Sequence, residues 1–157
     1  MFQEDYILRM VQQLAAAIAR IAGLNQREQH DQALAEAERA WGELLGDIPP
    51  ELAASTDSHT LAGMLRQPAR IRLAHEILRE QARALAARGD TAGAARHARR
   101  ALELLLEARA AEAAAPRGRP AGPPPAESDA DAARALVALA PAEALAPRHR
   151  TLLTELT

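Results

Sequence analysis

The chain has 157 residues, a length for one compact domain with a tail, and 48% are hydrophobic, although only one Phe, one Trp and one Tyr occur. Cysteine is absent, which excludes a disulfide framework and any thiolate zinc site. The net charge of −2 conceals a division: residues 1–65 set four arginines against ten acids, and residues 66–109 set ten arginines against five.

Much of the apolar content is alanine, the best helix former, while valine, isoleucine and aromatics are scarce. This predicts a nearly all-helical chain. A first helix is expected over residues 5–22, with Gly23 as its stop. Its larger apolar residues Ile7, Val11, Leu14, Ile18 and Ile21 step by 4, 3, 4 and 3, the seam of a helix packed along its length. That seam faces either a partner helix in the same chain or a second copy of the protein.

Asn25 followed by Glu28 reads as a capping box opening a second helix that runs to about Leu45, with Leu34, Ala37, Trp41, Leu44 and Leu45 inward. Residues 1–46 therefore form an antiparallel hairpin. Shorter helices are expected between Pro49 and Gln67, one of them started by Asp57 or Ser58. Pro68 suits the first position of a helix over 68–88, Gly89 closes it, and Asp90 caps the next helix, 91–113. Proline and glycine crowd residues 115–128, which read as a flexible linker between a body of residues 1–114 and a terminal segment, 129–157. Within that segment Ser128 with Asp131 is a capping signal, and the pieces are expected to dock on the body.

The alanines carry a spacing. Leu78, Ala82 and Leu85 alternate large, small and large; Gly89-Asp90 turns the chain; Ala94, Ala98 and Ala101 follow. In this pattern residues 75–108 resemble one tetratricopeptide repeat, departing from it at Ala98, where an aromatic is usual, and at Leu106, where a proline is. Ala33, Ala37 and Ala40 repeat the spacing 61 residues earlier with different turn residues. The resemblance implies an all-α fold of antiparallel helical hairpins stacked as a short bundle or superhelix. It also implies a concave groove lined by Glu76, Arg79 and Arg83, where basic groups in some relatives hold peptide carboxylates. The opening MFQEDYILRMVQQL, followed by ARI, is similar to the start of an uncharacterised bacterial family, and this implies a layout and no activity.

Signs of catalysis fail on inspection. HEILR at 75–79 has arginine where a zinc-protease motif needs its second histidine, so no metal is expected. No phosphate loop or nucleophile elbow occurs, and neither an enzyme nor a cofactor is expected. Arg72, Arg79 and Arg83 share a helix face with Glu76 and Glu80. That face is either a partner-binding surface for an acidic peptide, where planar guanidinium holds carboxylates in pairs, or a solvated set of Arg–Glu pairs. Nucleic acid is disfavoured by the negative net charge and the few aromatics. Acids in the N-terminal stretch and Arg20 argue against a secretory signal or a span of about 20 apolar residues, so a cytoplasmic location is expected. The expected function is a protein-binding scaffold; the alternative is a structural protein that assembles only with itself.

Overall fold

The computed structural model describes residues 2–115 and 128–157, with side chains from Asp5 onward. Every regular element among them is helical: α1 Phe2–Gln26, α2 His30–Leu45, α3 Pro50–Ser55, α4 Ser58–Leu65, α5 Pro68–Ala87, α6 Thr91–Ala114, α7 Asp129–Leu139 and α8 Pro147–Leu156. The all-α class follows directly. The span read as a linker lies, but for its two end residues, outside the described residues.

Two hairpins make the body. Helix α1 turns back as α2, α5 turns back as α6, and α5 packs on α6, α2 and α1. The second hairpin closes where Gly89, at φ 85°, reverses the chain. There the Asp90 N–H donates to Leu85 O and the Gly89 N–H to Ala86 O, two bonds that satisfy carbonyls at the helix end. The first hairpin closes in the same way 61 residues earlier. The Gln29 N–H donates to Leu24 O, the Glu28 N–H to Asn25 O, and Glu28 takes φ 60°. Helix α1 therefore runs through Gly23, and the expected stop is corrected: the reversing residue is Glu28, which tolerates the left-handed region only at a cost. The expected capping box is corrected as well. Gln29 holds the cap position of α2 without a side-chain bond, and Asn25 points across the bundle to Glu80.

Elsewhere capping follows the residue chemistry. Asp57 accepts from the Thr60 N–H, Asp90 from the Gly93 N–H and Ser128 Oγ from the Asp131 N–H. Proline opens α3, α5 and α8, where its missing N–H costs nothing. Gly93 is required by its neighbour, since a Cβ there would collide with the Asp90 carboxylate.

Alanine lines the contacts between hairpin arms. Ala33, Ala37 and Ala40 are buried on α2, as are Ala94, Ala98 and Ala101 on α6 and Leu78 and Ala82 on α5, the helix that α6 packs against. Methyl groups at these places let helix backbones approach closely. Leucines at 102, 104, 105 and 106 are buried all round this part of α6, which packs on α4, α7 and α8 as well as α5. Trp41 is only partly buried against the core.

Three of the seam residues of α1, Leu14, Ile18 and Ile21, are buried in the chain's own core, while Ile7 and Val11 are half-buried. This corrects the reading of the seam as a self-association surface: α2 and α5 already occupy it. The expectation about membrane-length segments is also corrected. Asp5–Gln26 is long and apolar enough, by length and composition, to cross a membrane. Its inward residues are the core just described.

Candidate functional site

Helix α5 is the middle of the molecule, and between Ile71 and Ala84 only Arg72, Glu76, Arg79, Gln81 and Arg83 escape full burial. Four of these five fall on one stripe, since steps of 4, 3 and 4 keep residues on a single helical face. The structure thus gathers Arg72, Glu76, Arg79 and Arg83 into one accessible line of α5, with Gln81 alone on the opposite side.

Each member has a distinct setting. Arg72 is clamped within the chain: its guanidinium donates to both oxygens of Glu112, at 2.8 and 2.9 Å, and to both of Asp129, at 2.8 and 3.1 Å. It ties α5 to the end of α6 and the start of α7, with Arg109 bonding the same Asp129. The Arg72 hydrogen bonds hold the Asp129 carboxyl down to about 2, against the opposing effect of burial. Arg72 is a staple more than an anchor. Glu76 is pushed upward by burial, with Arg79 and Arg72 pulling the other way. Arg83, 45% exposed, donates at 2.6 Å to Glu80, which is 2% exposed and accepts at 2.8 Å from Asn25 Nδ2. The stripe runs from the Arg72 clamp at one end to this Asn25–Glu80–Arg83 chain at the other.

Other arginines close helix ends. Arg70 Nη2 donates to Leu44 O and Leu45 O at the end of α2, and Arg100 Nη2 to Ala53 O and Thr56 O at the end of α3. The carbonyl ends of those helices would otherwise be left short of donors. Position in the sequence gives no sign of this duty, because each reaches across 25 residues or more.

A second polar cluster, which the sequence reading missed, joins α4, α6 and α8. His149, 3% exposed, lies between two carboxylates one helical turn apart. Its Nε2 is 3.0 Å from Glu107 Oε1, and its Nδ1 is 3.3 Å from Glu103 Oε2, close enough for attraction but poorly aimed. Ser58 donates to Glu103, and His59 and Arg148 reach Glu107. Burial opposes the charged forms, yet these partners win: Glu107 falls to about 2, Glu103 is lowered and His149 is raised. The i, i+4 spacing of Glu103 and Glu107 was visible in the sequence, but nothing there brought His149 to them.

Ser58 donates to the Glu103 carboxylate, and among the described residues no group of three or more His, Asp or Glu is placed to hold a metal ion. His75 is fully enclosed and hydrogen-bonded to Ala101 O at 2.9 Å. Burial, with help from Arg79, drives its pKa down to about 3, so the ring is neutral and its Nδ1–H donates. No family model matches the chain, and neither does any curated protein or solved structure.

Proposed function

We propose that this chain is a non-enzymatic scaffold that binds an acidic peptide or helix of another protein along the open stripe of α5. Arg83 and Arg79 anchor its carboxylates, Arg72 and Glu76 border the contact, and the two hairpins stack in the manner of tetratricopeptide repeats. The observation that carries this reading is the deep burial of α5, which between Ile71 and Ala84 leaves those four side chains accessible in one line, with Gln81 alone elsewhere. The matched turns and alanine triplets of the two hairpins, 61 residues apart, support the repeat-like stacking. Guanidinium at half-exposed positions suits the task, because two parallel charge-assisted bonds give orientation as well as affinity. A cytoplasmic site of action goes with this reading.

The test is binding of labelled acidic peptides to the wild type and to Arg79→Glu/Arg83→Glu, with circular dichroism as the control for fold. The double reversal is expected to weaken binding by about a hundredfold, as loss of two close charge pairs does. Equal affinity of both proteins for the same peptides would rule out the α5 stripe.

A further inference from the structure

Among the described residues, the outer sides of α1 and α2 carry exposed side chains, Ala16, Arg20, Ala35 and Glu43 among them. Between α1 and α2 runs a shallow trough: Gln13, Ala16, Ala17, Arg20, Ala40 and Glu43 line one part, and Leu24, Arg27 and Ala35 continue it. Four of its lining residues are alanines, set among charged side chains that include the paired Glu36 and Arg39, and the alanines let a helix laid there come close to the backbones. Tyr6, 64% exposed, and Leu8, 58% exposed, stand uncovered at the α1 end beyond it. Tyr6, Gln13 and Arg20 are spaced by seven, which puts them on one stripe of α1, and Arg27 follows seven residues on in the turn after the helix.

We propose that this trough receives α1 of a second copy, antiparallel, and that the two chains form a two-fold dimer. Three features select that occupant. A two-fold axis passing between Ala16 and Ala17 opposes small residues at the crossing, where bulk would hold the helices apart. The same register sets Tyr6 of each copy over Arg27 of the other, an aromatic face against a guanidinium, beside the depression that Leu24 and Ala35 line. It also brings Arg20 of the second copy level with Glu43, because Gln13 and Glu43 border the trough together. The face carries both signs of charge, Arg20, Arg27 and Arg39 with Glu36 and Glu43, as an isologous contact between charged surfaces demands. None of Arg72, Glu76, Arg79 and Arg83 lines the trough, so the dimer leaves the α5 stripe open; this proposal goes beyond the peptide-binding reading and does not depend on it.

Sedimentation velocity of the full chain over a range of concentrations tests it. The wild type is expected to sediment as a dimer that dissociates on dilution. Ala16→Glu, an exposed position, is expected to give a monomer of unchanged helical content, and Tyr6→Ala to weaken association about tenfold. Arg20→Glu and Glu43→Arg should each weaken the dimer, and the two together should restore it. A wild type that stays monomeric overturns the proposal. So does a dimer indifferent to Ala16→Glu and Tyr6→Ala, or a charge exchange that fails to restore association. Because the readout is mass and not peptide affinity, failure here leaves the α5 reading untouched, and the converse holds.

Discussion

Replacing His149 with alanine is expected to cost about 3 kcal/mol and to remove the alkaline decline of stability with pH. The cost lies at the low end of the roughly 3–5 kcal/mol seen when one partner leaves a buried ion pair, since Arg148 still holds Glu107 and Ser58 still holds Glu103. What remains is two carboxylates on one buried turn of α6 with less cation between them. The pH profile separates this cluster from ordinary packing. His149 has a raised pKa in the fold, outweighing burial through Glu103 and Glu107, so its contribution is complete below the unfolded value of about 6.5 and is lost as pH rises through the folded one. His75 works in the opposite sense. With its pKa lowered to about 3, its contribution is complete above about 6.5 and declines as pH falls. Glu107, at about 2, and the lowered Glu103 and Asp129 add further loss in acid. Stability in the wild type is therefore expected to peak near pH 6.5. In His149→Ala the alkaline limb should flatten while the acid limb survives, as urea unfolding at a series of pH values would show. A limb that persists unchanged would mean that His149 is not charged in the fold.

Ala101→Leu is expected to destabilise the protein by about 1–3 kcal/mol, the usual cost of forcing added carbons into a filled core. Hydrophobicity alone gives the reverse sign, since three more buried carbons would stabilise by roughly 2 kcal/mol. Ala101 has no exposed surface and faces α5, and its carbonyl accepts the buried His75 hydrogen bond. Displacement of α6 thus threatens a buried polar contact as well as the packing. Chemical denaturation near pH 6.5 decides between the two signs. A more stable Ala101→Leu would mean that space exists between the arms, and that alanine there reflects composition and not close contact.

The parts of this fold legible in the sequence were those governed by neighbouring residues. Asp57, Asp90 and Ser128 cap the helices they precede, and Pro68 opens α5, because a cap or a proline acts within one turn. The second hairpin could be read for the same reason, from Gly89 and the alanines after it. The first hairpin turn was hidden because Glu28 does what glycine does 61 residues later, and no residue preference announces a glutamate at positive φ. The α5 stripe was legible as a face, but which of its charges serve the fold was not. Arg72 depends on Asp129, 57 residues away, and Arg70, Arg100 and His149 likewise act across the tertiary structure. Helical spacing reports which side chains share a face; it is silent on what packs against that face.

Amide hydrogen exchange along α5 tests most directly the claim on which the rest stands, that this helix is enclosed by close, methyl-lined neighbours. The amides of residues 71–84 should exchange only through global unfolding, at rates that track the denaturation free energy, while those of the short α3 exchange far sooner. Exchange of α5 as fast as α3 would contradict the arrangement, and with it the accessible stripe.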